Sequence, residues 1–237
     1  MYERESVKFT GTLVRGKLNQ KAVLQVWRDG SWRGTGDYDS TNRRGKFVIS
    51  HVMDYEPGAH RFRVMGKRSR LYDVPQVVTN KVRIAVKDKP GSQSLPWRPN
   101  EWFTVEDWQF AFNPTVTDAW PIVRSQSEYA DPPPPGWSYV TVALGFVRTG
   151  PGSGRAWIEN DLAFVGGDGV VYSGGQDLNG DYVYCSLDND WSDAPELYTG
   201  ARSSGTECLP VPTAAIAGGA WRLSGGYDDE DQWITLN

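Results

Sequence analysis

Apolar and polar residues alternate along several segments of the N-terminal part of the chain. In residues 60–66, Phe62 and Val64 alternate with arginines, and residues 6–13 and 81–87 repeat the pattern. A period of two with one apolar face is typical of a half-buried strand in an antiparallel sheet. The pattern therefore predicts β-sheets that each have one covered face.

Turn residues separate these alternating segments. Asp29-Gly30 lies between two of them and predicts a tight hairpin, because both residues tolerate positive φ angles. Arg44-Gly45 and Pro57-Gly58 predict further turns. About seven short strands within about 85 residues is the spacing of a β-sandwich.

The C-terminal part of the chain shows strand patterns as well. Residues 139–147 are apolar at nearly every position, which predicts a central strand covered on both faces. Gly167-Asp168-Gly169 predicts another hairpin. No window sustains a helical apolar period, so helix is expected only as a turn or two near residues 213–217. The prediction is an all-β protein, with further strands in this part at residues 103–112, 162–165, 170–172, 220–223 and 233–236.

Charge divides the chain near residue 90. Residues 1–89 hold 19 Lys and Arg against 9 acidic residues, a net charge of +10, whereas residues 90–237 hold 6 Arg against 20 acidic residues, a net charge of −14. A polar segment rich in Pro and Gly begins at the same place. We therefore predict two antiparallel, immunoglobulin-like β-sandwich domains in tandem, 1–89 and 101–237, joined by a linker at 90–100.

The composition excludes several classes of protein. Of the 237 residues, 39% are hydrophobic, which is enough for a core but too little for membrane spans. Two histidines exclude a zinc site of three imidazoles, and two cysteines exclude a zinc ribbon. The first five residues contain no apolar run, so no signal peptide is expected there.

The two cysteines, Cys185 and Cys208, are predicted to form a disulfide. The residues between them are rich in Asp, Ser and Gly and could not organise themselves by apolar burial. A disulfide would stabilise such a loop by roughly 3 kcal/mol. It would also imply an oxidising destination, such as the cell exterior or a virion surface. Two unrelated free thiols remain the alternative.

Two near-matches to ligand-binding loops are weak. Residues 11–17 nearly spell a phosphate-binding loop, but Leu18 stands where that loop requires Ser or Thr, so a strand ending in a turn is favoured. The run that begins at Asp177 alternates oxygen ligands like a calcium loop, but Tyr182 replaces its glycine and Asp188 its glutamate. A weak calcium site there stays an alternative to solvated turns. No cofactor and no metal is predicted.

No catalytic residues are predicted. A glycoside hydrolase requires two carboxylates flanked by aromatic residues. Glu159 and Asp161, at i and i+2, are expected to share a strand face, and Glu101, Glu106 and Asp107 lie near Trp102 and Trp108. With 20 acidic residues after residue 89, however, such pairs arise by chance. No G-x-S-x-G sequence occurs, and no histidine follows His60. We predict that the protein is not an enzyme, and a hydrolase stays an alternative.

Tryptophan usage suggests binding surfaces. An exposed tryptophan can stack on a sugar ring or anchor a protein interface, and the alternative is that it caps the end of a sandwich. Trp97, beside two prolines, is further expected at the domain junction. Exposure is predicted for tryptophans beside prolines, glycines or acidic turns, namely Trp97, Trp120, Trp137 and Trp191. Core positions are predicted for those within strands, namely Trp27, Trp108, Trp157, Trp221 and Trp233.

The basic residues of the first domain suggest a second surface. The candidate partner-binding residues are Arg43, Arg44, Arg68 and Arg70. An acidic protein surface or an anionic cell-wall polymer is the expected partner, and a solvated strand face is the alternative. Nucleic acid is not expected, because the attached acidic unit opposes phosphate and neither a recognised motif nor an exposed aromatic platform is apparent.

Several short runs carry a resemblance to known families. In residues 6–87 the resemblance is carried by Val23-Leu24-Gln25-Val26, by Gly30-Ser31-Trp32 and by the run from Gly58 to Val64. They resemble the bacterial immunoglobulin-like modules of actinobacterial extracellular proteins. The resemblance implies a β-sandwich without catalytic residues.

A second resemblance covers residues 101–236. It is carried by Trp102-Phe103-Thr104-Val105, Tyr139-Val140-Thr141-Val142, Asp168-Gly169-Val170-Val171-Tyr172, Cys208 with Val211-Pro212, and Gly218-Gly219-Ala220-Trp221. These runs are similar to the β-sandwich domain of unknown function of actinobacterial lipoproteins, which is related to immunoprotective extracellular proteins. The chain lacks the leader and the lipidation cysteine of those lipoproteins, so a membrane anchor is not implied.

Together these observations predict a non-enzymatic protein that acts outside the cell in attachment, scaffolding or adhesion. A virion-surface protein of an actinobacterial phage, in capsid decoration or tail, is slightly favoured because Met1 directly precedes the first strand. A secreted or cell-envelope protein and a carbohydrate-binding module are the alternatives. The expected partners are virion or cell-envelope proteins, with a cell-wall glycan as a further option. The oligomeric state is left open.

Overall fold

The chain divides into two units, Met1–Lys89 and Pro90–Asn237. The computed structural model describes residues 2, 5–13, 19–68, 74–126, 129–174, 185, 187–226 and 230–237. In both units the strands that form sheets pair antiparallel with their neighbours. The predicted all-β class is confirmed.

The first unit is built from strands whose side chains alternate between a buried and an exposed face. Among the described residues its strands are β1 Ser6–Thr12, β2 Lys21–Arg28, β3 Ser31–Ser40, β4 Lys46–Val52, β5 Gly58–Gly66, β6 Val77–Val78 and β7 Val82–Val86.

These strands form a two-layer sandwich. β1 pairs with β4 in one sheet, and β3, β2, β5 and β7 lie side by side in a larger sheet, in which β6 also pairs with the end of β5. Leu24 of β2, Phe62 and Val64 of β5, and Phe47 and Ile49 of β4 belong to one buried cluster. The core of the first unit therefore lies between its two sheets.

The predicted hairpin at Asp29-Gly30 joins β2 to β3. Asp29 has φ of 47° and Gly30 has φ of 73°, the left-handed conformations that a two-residue hairpin turn requires. The turn places Trp27 directly opposite Trp32. The local sequence thus sets the register of the two strands that carry the first unit's only tryptophans.

The second unit has more and shorter elements. Among the described residues its strands are β8 Phe103–Val105, β9 Trp108–Phe112, β10 Trp137–Arg148, β11 Ser153–Gly154, β12 Asp161–Val165, β13 Val171–Tyr172, β14 Leu197–Tyr198, β15 Arg202–Pro212, β16 Ala220–Ser224 and β17 Gln232–Ile234. Its helices are α1 Trp120–Gln126, α2 Ala156–Glu159 and α3 Thr213–Ile216, with a 3₁₀ turn at Trp191–Asp193.

This unit is also a sandwich. One four-stranded sheet has the order β15, β10, β9, β8 and the other has the order β13, β12, β16, β17. Large aromatic side chains fill the space between them, including Trp108, Phe110 and Phe146 from the first sheet and Phe164 and Trp221 from the second. The core positions predicted for Trp108 and Trp221 are confirmed, because both are fully buried.

β10 is covered on both faces, as its apolar sequence predicted. Val140, Leu144 and Phe146 point into the main core. On the other face Tyr139 packs with Val123 of α1 in a second, smaller buried cluster. β10 is apolar at almost every position because a separate core packs against each face of its sheet.

Two of the helices lie outside the predicted helical region. α3 falls where a helical turn was expected, but α1 and α2 did not appear in the pattern. α1 has seven residues, of which only Val123 is buried. One buried side chain does not produce a detectable 3.6-residue period, so these short helices are set by packing rather than by periodicity.

The linker predicted at residues 90–100 belongs instead to the second unit. The Trp97 N–H donates to the Trp233 carbonyl (2.8 Å), and the Thr235 N–H donates to the Trp97 carbonyl (2.9 Å). The Trp233 N–H donates to the Gly91 carbonyl (2.8 Å). Proline and glycine suggested a linker by composition, but the backbone of this segment is hydrogen-bonded to the β17 region.

Replacing Phe62 with Ala is expected to destabilise the first unit by about 3–5 kcal/mol, because a fully buried ring would leave a cavity. Hydrogen exchange read by mass spectrometry should show faster exchange in peptides from β2 and β5. Val48→Ala is the control, since Val48 is 53% exposed and its loss should change little. Equal effects of the two substitutions would contradict the proposed core.

Candidate binding surfaces

Trp191, predicted to be exposed, is buried in the core of the second unit. It is 4% exposed, and its ring lies edge-on to Phe146 with 5.3 Å between centroids. Asp190 caps the 3₁₀ turn by accepting a hydrogen bond from the Ser192 N–H (2.8 Å). The acidic neighbours suggested an exposed loop, but they stabilise a turn that directs the indole inward.

Trp97 and Trp137 are half-buried in the second unit. Trp97 stacks on Phe103 at 5.4 Å between centroids, and its Nε1 donates to Gln232 Oε1 (3.0 Å). Trp137 lies edge-on to Tyr172 at 6.3 Å. Both rings already have aromatic partners, so the exposure predicted from their neighbouring prolines and glycines is only partial.

The basic residues singled out from the sequence lie at loops. Arg43 and Arg44 are exposed in the turn between β3 and β4, where Asn42 Oδ1 accepts from the Arg44 N–H (2.9 Å). Arg68 is exposed after β5. Arg70 lies outside the described residues. The described arginines of this set lie in loops, so strand pairing does not place them side by side on one surface.

A different surface, which we call the basic sheet face, is formed by the outward side chains of the larger sheet of the first unit. Trp27 of β2 and Trp32 of β3 lie side by side on it, with 5.3 Å between ring centroids. Trp27 is 39% exposed, so its predicted core position is wrong. The alternation in β2 places Leu24 and Val26 inward and hence Trp27 outward. An aromatic platform is therefore present, contrary to expectation.

Cations surround this tryptophan pair. The Arg63 guanidinium lies 4.4 Å from the Trp32 ring centroid, and its Nε donates to Gln25 Oε1 (2.8 Å). Lys81 Nζ lies 6.0 Å from the same ring. On β3, Tyr38 is 58% exposed, with Lys21 Nζ 3.5 Å above its ring. Aromatic rings thus hold the basic side chains at defined places on the face.

The charge on this face is of one sign. Arg61 of β5 lies directly opposite Arg83 of β7, a like-charge pair that is unfavourable for the sheet itself. The acidic residues of β3 are directed to the other sheet: Asp37 Oδ2 lies 2.7 Å from His51 Nδ1, and Asp39 Oδ2 accepts from the Val48 N–H (2.8 Å). At the outward positions of the described strands β2, β3, β5 and β7 there is no carboxylate.

The alternation of residues along the strands is enough to predict part of the basic sheet face from the sequence. The hairpin at Asp29-Gly30 fixes Trp27 opposite Trp32, and the predicted alternation in residues 60–66 already placed Arg61 and Arg63 together on one side. What the sequence could not supply was the order of the strands in the sheet. Only that order brings β7, with Arg83, next to β5.

In the second unit, the carboxylates considered for hydrolysis have protein partners. Arg148 is buried, and its Nη1 donates to Glu159 Oε2 (2.6 Å) while its Nη2 donates to Asp107 Oδ2 (3.2 Å). The Trp108 Nε1 also donates to Glu159 Oε2 (2.9 Å). These carboxylates neutralise a buried guanidinium, which is a structural role.

The neighbouring carboxylates are engaged in the same way. Glu106 Oε1 accepts from the Gly226 N–H (3.0 Å), and Asp161 Oδ2 lies 3.7 Å from Arg222 Nη2. Glu159 ends α2 and Asp161 begins β12, so they do not share a strand face. The proximity of these residues in the sequence therefore does not produce a pair of carboxylates on one strand.

Glu207 of β15 is the carboxyl whose pKa departs furthest from its usual value. Burial, together with the negative charge of Asp190, raises its pKa from 4.5 to about 8. Its side chain lies opposite Val142 of β10, and its Oε1 accepts from the Cys208 N–H (3.1 Å). A carboxyl that is buried next to another negative charge favours the protonated form.

The predicted disulfide between Cys185 and Cys208 is present. Cys208 belongs to β15 and lies opposite Thr141 of β10, so the disulfide ties the segment after Cys185 to the outer face of this sheet. The run from Asp177 to Asp181 that resembled a calcium loop lies outside the described residues. Within the described residues, no helix has the length and hydropathy of a membrane-spanning segment.

Comparison with known proteins supplies no family. No protein-family model matches the chain, and no curated protein matches it. The solved structures similar to it include a conserved hypothetical protein from Bacillus anthracis (11% identity, 59% of this chain, 95% of that chain, TM-score 0.37). They also include an uncharacterized β-sandwich protein from Clostridium difficile 630 (14% identity, 64% of this chain, 95% of that chain, TM-score 0.37). At these scores the likeness carries no argument about function.

Replacing Arg148 with Met is expected to lower the stability of the second unit by about 1.5–3 kcal/mol, because Glu159 and Asp107 would lose charge-assisted hydrogen bonds. Thermal unfolding followed by near-ultraviolet circular dichroism measures the change. Arg202→Met removes an exposed arginine from the neighbouring strand and serves as the control. If both variants melt alike, the Arg148 cluster is not a stabilising element.

Glu207 predicts a pH dependence of stability. Because its pKa is higher in the folded than in the unfolded protein, the unfolded chain releases its proton first, and the free energy of unfolding falls as the pH rises from 4.5 to about 8. Glu207→Gln should remove this fall, which amounts to about 1.4 kcal/mol per unit of pKa difference. Urea unfolding across this range tests it, with the exposed Glu56→Gln as control; a pH profile shared by all three proteins would refute it.

Proposed function

We propose that the protein is a non-enzymatic binding protein that acts outside the cell and attaches to an anionic glycan polymer through the basic sheet face. The observation that carries the proposal is the convergence of five cations and a tryptophan pair on one sheet face whose outward positions, in the described strands, contain no carboxylate. The cations are Lys21, Arg61, Arg63, Lys81 and Arg83.

The chemistry of this face suits a polymer that carries both sugar rings and acidic groups. Arginine binds carboxylate or phosphate through parallel N–H bonds, and Arg61 and Arg83 are exposed and available for this. Trp27 offers an exposed ring on which a sugar can stack. A glycan with both acidic and neutral units would offer partners to the cations and to the rings of this face.

The disulfide supports the extracellular setting. Disulfides persist in oxidising surroundings, such as the cell exterior or a virion surface. In such surroundings the polyanions of the cell envelope are more accessible than nucleic acid. An anionic envelope glycan is therefore the preferred partner, and an acidic protein or a nucleic acid is an outcome that the binding test distinguishes.

The finer setting follows from the sequence-based prediction. We favour the virion surface of an actinobacterial phage, where the protein would serve attachment to the host envelope, and a secreted or cell-envelope protein is the alternative. A module that binds neutral carbohydrate through Trp191 loses its support, because that ring is buried. Absence of enzymatic activity stays a prediction, supported by the structural partners of the carboxylates near Arg148.

Replacing both Arg61 and Arg83 with Ser is expected to weaken binding to a polyuronate at least about tenfold, because each lost charge-assisted contact is worth about 1.5–3 kcal/mol. Surface plasmon resonance with immobilised polygalacturonate measures the affinity, and added salt should lower it. The double variant Arg43→Ser and Arg44→Ser removes the same charge from a turn and is the matched control. Neutral dextran should not bind.

Three results would redirect the proposal. Equal losses in the two double variants would mean that net charge, and not the basic sheet face, binds the polymer. Tighter binding to a single-stranded oligonucleotide than to any anionic glycan would favour nucleic acid. Absence of binding to polyuronate, to phosphate-bearing glycans and to the oligonucleotide would leave an acidic protein as the partner and overturn the glycan assignment.

A further inference from the structure

A cavity of about 320 Å³ lies on the outer face of the sheet formed by β15, β10, β9 and β8. We call it the tethered pocket. Thr141 of β10 and Thr206 of β15 line it, together with Ile122 of α1 and with Leu187 and Asn189 of the segment that follows Cys185. Its volume is at the lower end of the range for ligand pockets, about 300–1,000 Å³. A ligand of the size of one sugar ring fits this space.

Thr141 is the feature that suggests a ligand. It is 5% exposed, and its main chain is satisfied by two hydrogen bonds with Val116, each 2.9 Å. Thr141 lines the pocket, and its side chain makes no hydrogen bond to any described residue. A hydroxyl that lines a cavity and has no partner in the protein is free to bind a ligand or a water molecule.

The other polar groups of the pocket indicate the chemistry of the ligand. The side-chain amides of Asn113 and Asn189 and the hydroxyl of Thr206 have no hydrogen-bond partner among the described residues. The one charged side chain that lines the pocket is Asp188. Without a lysine or arginine in its lining, the pocket does not suit an anion.

The lining also has an apolar part. The exposed Val116 and Ile122 and the buried Leu187 contribute aliphatic side chains to it. Amide donors and acceptors next to an aliphatic surface suit an acetamido group, whose amide can bind an asparagine while its methyl group contacts aliphatic carbon. Thr141, Thr206 and Asp188 can then bind ring hydroxyls.

We infer that the tethered pocket binds a neutral N-acetylated sugar residue. The site belongs to the second unit and does not depend on the basic sheet face, so either assignment can fail without the other. Recognition would combine one acetamido group, held by Asn113 or Asn189, with sugar hydroxyls held by the buried Thr141.

The disulfide positions one wall of this pocket. Cys185 precedes Leu187 by two residues, and its partner Cys208 lies on β15 opposite Thr141. Two weaker ties act on the same wall: the Thr206 N–H donates to the Asn189 carbonyl (2.7 Å), and the Asp188 N–H donates to Gln126 Oε1 (3.3 Å). Opening the disulfide would release the strongest of the three constraints and loosen the wall.

A titration of the 237-residue protein with N-acetylglucosamine, followed by ligand-observed NMR, tests the inference. The wild-type protein should bind N-acetylglucosamine saturably and at least about tenfold more tightly than glucose, because glucose lacks the acetamido group. One factor of ten in affinity corresponds to about 1.4 kcal/mol. Thr141→Val should weaken binding at least tenfold. Because the hydroxyl has no protein partner, this substitution should preserve the fold, as near-ultraviolet circular dichroism would show.

Thr104→Val is the matched control, because Thr104 is exposed on β8 of the same sheet and away from the pocket. It should bind the sugar like the wild-type protein, and so should the Arg61→Ser and Arg83→Ser double variant. Reduction of the disulfide should lower the affinity several-fold. Absence of saturable binding, equal affinity for glucose, or unchanged binding by Thr141→Val would overturn the site; unchanged affinity after reduction would overturn the role of the tether.

Discussion

Strand β10 pairs with β15 from Trp137 to Val147 and with β9 over its second half, so it lies inside its sheet. Because successive side chains point to opposite faces, one strand must satisfy two environments at once. Phe146 and Leu144 fill the main core, and Tyr139 and Thr141 face the region covered by α1 and the disulfide segment. The sandwich core and the tethered pocket both depend on this single strand.

The two units use arginine in opposite ways. Arg148 is buried and needs Glu159, Asp107 and the Trp108 ring to offset its desolvation. On the basic sheet face, the exposed Arg61 and Arg83 oppose each other with no carboxylate at the outward positions of the described strands. The first arrangement stabilises a fold, whereas the second lowers the stability of a sheet and is more readily explained by an anionic partner.

The elements that could be predicted are those with local causes. Asp29-Gly30 requires positive φ angles and therefore specifies its hairpin, and the alternation around Phe62 and Val64 specifies a strand with one buried face. The burial of a tryptophan does not follow from its immediate neighbours in the sequence. Trp191 is buried despite its acidic neighbours, and Trp27 is exposed within a strand.

The linker predicted at residues 90–100 from their proline and glycine content was also wrong. There the backbone is hydrogen-bonded to residues 233–235, far away in the sequence. No local pattern could show this, because the hydrogen-bonded partners lie at opposite ends of the second unit's sequence. The candidate sites have the same origin, since the basic sheet face needs β7 beside β5 and the tethered pocket needs α1 near the segment after Cys185.

The sequence by itself determined the all-β class, the principal turns, the division of charge and the cysteine pair, because each follows from the preferences of a few adjacent residues or from a simple count. The tertiary structure alone decided which tryptophans are covered, which arginines share a face and which polar side chains line one pocket. Those outcomes depend on the side chains that a distant strand or helix supplies. Whether a side chain is buried is decided by the two segments that pack together and not by the sequence of either one.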